Sequence, residues 1–173
     1  MSDEAETWYF RRRWDGFRSG EKRIRLLFGA EHAIARLYDK GVPETCREIL
    51  SHLPLTVPVV HVAWSGDMVM SARPFHVGPR EPENAVRLPR PGDLTWDPKF
   101  GEICFAYGTA EARLPSGENQ LVVFGQVEDG FEPFAVFCRA RRFDGIGEIR
   151  VETLCVRDEF DLLRAAKARS CGR

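Results

Sequence analysis

The sequence predicts a mainly β domain, a closed β-barrel accompanied by two or three short helices. Short segments alternate apolar and polar residues with the period of two that is typical of half-buried strands. Turn signals separate these segments at regular intervals, as in barrels and sandwiches. No internal repeat is visible, and the 173 residues are enough for one domain with a substantial core.

The strand pattern is found in eight segments. Two of them form a pair around the turn at Gly29, and another pair flanks the turn at 65–67. The eight predicted strands are 23–28, 32–38, 57–64, 68–70, 94–96, 103–107, 120–127 and 148–152.

Helical periodicity marks three other places. A helix is predicted from Pro43, with an apolar stripe at 46, 49, 50 and 53, and Pro54 ends it. Segment 129–144 has apolar residues at helical intervals and capping-box spacing between Asp129 and Glu132. Because this segment also contains Pro133 and two valine–aromatic pairs, a strand remains the alternative prediction for it. A last helix is predicted to begin at Asp158.

Composition and charge limit the function classes. The formal net charge is −1, so the chain has no global field to hold nucleic acid or acidic lipid. No run approaches eighteen apolar residues, and the acidic N-terminus has no apolar signal region, so we expect neither a membrane span nor a secretory signal. The five cysteines form no C-x-x-C pair, and four of them lie in apolar stretches while Cys171 lies in the tail, so we expect five inert thiols, four of them buried, in a cytoplasmic protein.

Several motifs together resemble a known family. They are Val-Pro-Glu-Thr at 42–45, Trp-Ser-Gly at 64–66, Pro-Gly-Asp-Leu at 91–94 and Glu-Ile-Cys-Phe-Ala-Tyr-Gly at 102–108. This pattern resembles the bacterial cyclophilin-like domains of unknown function, which are small eight-stranded barrels with a helix capping an open end. The resemblance implies a closed cyclophilin-like barrel over residues 23–154. It leaves residues 1–22 as an aromatic and basic extension and residues 155–173 as a C-terminal helix and tail.

The resemblance implies a fold and not an activity. Cyclophilins proper carry Phe-His-Arg followed by Phe-x-x-Gln-Gly-Gly-Asp. This sequence has Arg-Pro-Phe-His at 73–76, in a different order, and contains no Gln-Gly-Gly-Asp. The sequence therefore argues against a peptidyl-prolyl isomerase.

Six polar or aromatic residues are candidate ligand-binding residues. His61 could bind a carboxylate or act as an acid or base, although a structural histidine is the alternative that we favour. Arg73, beside the proline-rich loop 73–93, could hold an anion. Glu102 and Tyr107 have opposite parity on one strand, so they should not enter one pocket. The six candidates are His61, Trp64, Ser65, Arg73, Glu102 and Tyr107.

Other chemistry has little support in the sequence. Ser65 lacks the leading glycine of a nucleophile elbow. The four histidines have no metal-binding spacing, and no phosphate loop is present, so we expect neither a metal nor a cofactor.

Two functions from different classes follow. The first is a domain that binds or acts on a small polar or anionic metabolite, in a pocket at the barrel mouth that loop 73–93 could cover. The second is a non-catalytic interaction or structural protein that self-associates through the aromatic arm at 8–17, which makes a homo-oligomer the expected state. A nucleic-acid role for this arm is the weaker alternative because an acidic tail precedes it.

Overall fold

The computed structural model describes residues 16–154. Within this range the strands are β1 Arg23–Phe28, β2 Glu31–Leu37, β3 Leu55–His61, β4 Gly66–Ser71, β5 Asp93–Asp97, β6 Glu102–Ala110, β7 Arg113–Leu114, β8 Gly117–Glu118, β9 Val122–Asp129 and β10 Gly147–Thr153. Eight of them form a closed antiparallel barrel in the order β1-β10-β3-β4-β6-β5-β9-β2, and a two-stranded hairpin, β7–β8, lies outside it. The predicted mainly β class, a closed barrel, is confirmed by this architecture.

Two helices accompany the strands in the described range: α1 Pro43–Ser51 and α2 Phe131–Asp144. Pro43 occupies the first turn of α1, as predicted, and the helix ends two residues before Leu53. The predicted helix from Asp158 lies outside the described residues.

Segment 129–144, for which both a helix and a strand were considered, is mainly helical in the structure. Pro133 is tolerated because it lies in the first turn of α2, where backbone N–H groups have no partner within the helix. The predicted capping box is wrong, since Asp129 ends β9 and the N-cap is Gly130, at φ +74° with no side-chain cap.

The main core fills the barrel and reaches both helices. Inward side chains from every barrel strand meet there, for example Leu26, Val57, Phe105 and Phe124. Cys46 and Ile49 of α1 and Phe134 and Cys138 of α2 belong to the same core. The two helices therefore pack their apolar faces on the barrel.

A second, smaller core lies outside the barrel, against β4 and β6. Along β6, Ile103, Phe105 and Tyr107 belong to the barrel core, whereas Cys104 and Ala106 belong to the outer one. Met68 of β4 also belongs to the outer core, together with Ala112 and Leu121 from the segment around the hairpin. Strand β6 is thus covered on both faces because the chain folds back over it.

Candidate functional site

A cavity of about 300 Å³ lies in this outer layer, over β4 and β6. We call it the outer-face pocket. Met68 and Met70 of β4 and Glu102 and Cys104 of β6 contribute to its lining. These residues have the parity opposite to that of the barrel core, so the pocket is separated from the barrel interior by the sheet itself.

The hairpin segment forms the opposite wall of the outer-face pocket. Ala112, Leu114 and Pro115 line it from this side. The buried Ser65 ties the segment to the β3–β4 turn: its carbonyl accepts from Glu111 N at 3.1 Å, and its hydroxyl donates to the Arg113 carbonyl at 3.4 Å. The Ser65 hydroxyl therefore stabilises the wall of the pocket.

The lining of the pocket is mainly apolar, with two aromatic rings near solvent. Val62, Met68 and Met70 supply aliphatic and thioether surface. Trp64 is 42% exposed and Phe100 is 37% exposed. Methionine adapts its shape to different neighbours, and a tryptophan left near solvent at a concave apolar surface is typical of a recognition site.

Asp97 is the buried acidic residue of the lining, and its oxygens have partners. One accepts from the backbone N–H groups of Lys99, at 2.8 Å, and Phe100, at 3.2 Å. The other accepts from the side-chain amide of Asn119 at 2.7 Å. Asp97 thus fixes the β5–β6 turn and joins it to the segment that precedes β9.

Glu102 is the second acidic residue of the lining and is half-buried at the start of β6. Within residues 16–154 its carboxylate makes no hydrogen bond or ion pair. Burial raises the pKa of Glu102, and the negative charge of Asp97 raises it further. Glu102 is therefore the acid of this pocket that has capacity left for a ligand.

A second polar cluster lies at the barrel end that α2 covers. The Tyr107 hydroxyl accepts from Arg142 Nε at 2.9 Å and lies 3.4 Å from His61 Nδ1. Arg142 Nη2 donates to Asp67 Oδ1 at 2.5 Å. Burial, and then the charge of Arg142, lower the pKa of His61, and burial raises the pKa of Tyr107. We call these four residues the α2 clamp because they join this helix to β3, β4 and β6.

The six sequence-predicted residues separate into three places. Trp64, Ser65 and Glu102 line the outer-face pocket, whereas His61 and Tyr107 meet in the α2 clamp. Arg73 belongs to neither, and its guanidinium carbon lies 4.9 Å from the centroid of the Phe75 ring. The parity argument that separated Glu102 from Tyr107 agrees with this arrangement.

The pocket differs from the prediction in its position. We expected a pocket at the barrel mouth, but the helices α1 and α2 pack against the two ends, and the apolar cavity lies on the outer face. Three lining residues were not predicted from the sequence: Asp97, Met68 and Met70. One signal was present, since Met68 and Met70 alternate with Val69 on a strand whose two faces are both apolar.

Loop 73–93 was expected to cover a pocket at the barrel mouth, and in the structure it is attached to two barrel strands. Trp96 Nε1 donates to the Pro79 carbonyl at 3.0 Å. The Asn84 side chain exchanges two hydrogen bonds with the Val123 backbone, each 2.9 Å long. The loop is therefore held against β5 and β9 by these hydrogen bonds.

Two features are absent from the part of the chain that the structure describes. Within residues 16–154, no three His, Cys, Asp or Glu side chains are grouped so that they could hold a metal ion. Over the same range, neither helix has the length and apolar character needed to cross a membrane.

Comparison with known proteins gives a family and a fold. A family model described as "Protein of unknown function (DUF3830)" matches residues 26–153. No curated protein matches the chain.

Solved structures with similar folds include proteins of different descriptions. The hypothetical protein AF2241 from Archaeoglobus fulgidus has a TM-score of 0.54 at 19% identity, covering 79% of this chain and 97% of its own. A cyclophilin-type peptidyl-prolyl cis-trans isomerase from Cryptosporidium parvum has a TM-score of 0.57 at 15% identity, covering 78% and 98%. McbB in complex with tryptophan has a TM-score of 0.56 at 16% identity, covering 75% of this chain but 44% of its own. These likenesses show a cyclophilin-like fold.

Proposed function

The chain belongs to the DUF3830 family, which is described as being of unknown function, and we propose that it binds a small, mainly apolar molecule in the outer-face pocket. The preformed cavity of about 300 Å³ carries this proposal. Its volume is at the lower end of the range for ligand pockets, about 300–1,000 Å³.

The uncovered apolar surface supports binding because leaving it open to water costs free energy. The outer core continues from Leu121 and Met68 into the cavity and reaches Trp64 at the rim. Binding of an apolar ligand is favourable because it removes the apolar surface of the pocket and that of the ligand from water.

The polar groups favour a binding protein over a catalyst of nucleophilic type. The Cys104 side chain is buried, and its burial strongly raises the pKa of the thiol, so the reactive thiolate is disfavoured. The Ser65 hydroxyl donates to a backbone carbonyl and is not bonded to a base. Glu102 remains as the acid of the lining that can bind a ligand.

The charge of the pocket changes the ligand class from the one that the sequence suggested. An anionic metabolite was expected from Arg73 and His61, and neither lines the outer-face pocket. Asp97 and Glu102 line it together with Arg113, so the lining has a net negative charge that disfavours an anion. We therefore take a neutral or cationic ligand with an apolar body as the better fit.

Isomerase chemistry is not part of this proposal. The similar isomerase shares only the fold at its level of identity. This chain lacks the Phe-His-Arg and Gln-Gly-Gly-Asp signatures on which prolyl isomerisation depends in cyclophilins proper.

The test uses three probes with one apolar body: 3-phenylpropan-1-ol, 3-phenylpropan-1-amine and 3-phenylpropanoate. Binding to the full chain is followed by backbone amide shifts in NMR titrations. In Ala112→Leu, three added carbons enter the cavity, so any bound probe should lose at least about tenfold in affinity. Ala30→Leu, in the exposed β1–β2 turn, is the matched control and should change nothing. Absence of binding by all three probes, or equal binding by both variants, would contradict the proposal.

A further inference from the structure

We propose that the outer-face pocket selects a ligand that carries a protonated amine on its apolar body, with the Glu102 carboxylate as the counterion. This inference rests on the proposed function of the pocket and adds the chemical group that decides which ligand binds.

The charged residues in the lining of the pocket leave a negative excess. They are Asp97, Glu102 and Arg113. The Arg113 side chain is half exposed, and its Nη1 lies 3.9 Å from a carboxylate oxygen of Glu111, which is outside the lining. The positive charge of Arg113 is thus partly neutralised by Glu111. The two carboxylates of the lining, Asp97 and Glu102, face a mainly apolar cavity.

The two carboxylates differ in what they can still bind. Asp97 accepts three hydrogen bonds from the protein, all from neutral donors. Glu102 accepts none from any side chain or backbone group in residues 16–154, and no lysine or arginine of that range forms an ion pair with it. An ionised carboxylate beside apolar surface is unfavourable without a partner, so a cationic ligand would supply the group that the protein does not. The raised pKa of Glu102 agrees with a charge that lacks compensation.

Of the two aromatic rings at the pocket, Trp64 is the one suited to the same ligand. Phe100 also lines the pocket, but the Lys99 ammonium already lies 5.2 Å from the centroid of its ring and occupies one of its faces. Trp64, the other exposed ring, provides the aromatic face that attracts cations best. An ammonium group near Glu102 with its apolar body against Trp64, Met68 and Met70 would satisfy both kinds of surface.

The experiment compares 3-phenylpropan-1-amine with 3-phenylpropan-1-ol at pH 7, by calorimetry and NMR on the full chain. The amine should bind more tightly than the alcohol by about tenfold or more, which is the usual effect of one charge-assisted hydrogen bond. Glu102→Gln keeps the shape and removes the charge. It should abolish this preference and leave binding of the alcohol within about threefold of the original value.

The matched control is Glu148→Gln, which makes the same change in net charge at an exposed position on β10. It should leave the preference for the amine intact. Thermal melting of both variants establishes that they are folded.

The outcomes separate the two proposals. If the alcohol binds in a manner sensitive to Ala112→Leu but the amine has no advantage, or keeps it in Glu102→Gln, the amine inference is wrong and the pocket remains a binding site. Tighter binding of 3-phenylpropanoate than of the amine would overturn the inference in the same way. If no probe binds, both proposals fail.

Discussion

At the scale of single residues, His61 and Glu102 show how position within one barrel sets opposite roles. Both are partly buried and both carry shifted pKa values. His61 is engaged by neighbours from three elements, whereas Glu102 has no protein partner in the described range. The first is therefore a structural group, and the second is available to a ligand.

A pH dependence follows for His61. Burial, and then the positive charge of Arg142, lower the pKa of His61 in the folded state. Between this lowered value and the ordinary value of about 6.5, the unfolded chain binds more protons than the folded one. Stability therefore rises with pH through that window and is lost as pH falls through it.

The measurement for this prediction is an NMR titration of the His61 imidazole in the full chain, with a midpoint expected below about 6.5. Arg142→Ala removes one of the two causes and should move the midpoint upward. Arg139→Ala, an exposed arginine on the same helix, should not move it. A midpoint in the original chain at or above the ordinary histidine value would contradict the assignment.

The residue assignments could be predicted only in part. Strand parity is a local property, so the sequence separated Glu102 from Tyr107 correctly. The partners of His61 could not be predicted because Arg142 lies 81 positions further along the chain, from 61 to 142. The contact between Arg142 and Tyr107 depends on how α2 lies over the barrel.

At the scale of elements, loop 73–93 completes helix α1. The N-cap residue of α1, Val42, has no side-chain acceptor. Glu83 supplies one from the loop: its two carboxylate oxygens accept from the N–H groups of Glu44, at 3.0 Å, and Thr45, at 2.6 Å. A negative charge at this end of a helix is also favourable to the helix dipole.

Glu83→Ala should therefore lower the free energy of unfolding by about 0.5–2 kcal/mol, the usual effect of losing an N-terminal cap. Glu83→Gln keeps one acceptor oxygen and should cost less. Urea denaturation gives the stability, and hydrogen exchange at Glu44 and Thr45 gives the local effect. Glu81→Ala, at an exposed loop position, is the control. Unchanged exchange at both amides in Glu83→Ala would contradict the role of the cap.

Elements with strong local signals were predicted well, and those fixed by distant contacts were not. Strands β1 and β10 and the start of α1 follow from alternation and from Pro43. Loop 73–93 was expected to cover a pocket, and its attachments to the barrel were not predicted because they join distant residues, such as Asn84 and Val123, which are 39 positions apart. Such pairings have no local pattern in the sequence.

At the scale of the whole molecule, two cores on opposite sides of one sheet explain where the pocket is. A closed barrel of this size fills its interior with side chains, and here helices cover both ends. Space for a ligand arises instead where the hairpin segment incompletely covers the outer face of β4 and β6. The barrel class could be predicted from strand number, but this second layer depends on the path of residues 110–121.

The packed body also includes residues that precede the first strand. Phe17 makes an edge-on contact with Tyr38, with 6.2 Å between ring centroids. Arg18 donates to both carboxylate oxygens of the fully buried Asp93, at 2.6 and 2.8 Å. Self-association through residues 8–17 stays a prediction, because residues 1–15 lie outside the described range.

Two truncations separate this packing from self-association. Removing residues 1–20 deletes Arg18 and leaves Asp93 buried without that partner, so the free energy of unfolding should fall by about 3–5 kcal/mol. Removing residues 1–15 keeps the Arg18–Asp93 pair and should therefore avoid this loss of stability. Light scattering on the shorter truncation then tests the arm alone: an oligomer that becomes a monomer while the barrel stays folded supports self-association through the aromatic arm. A full chain that is already monomeric, or an oligomer that survives this truncation, contradicts it.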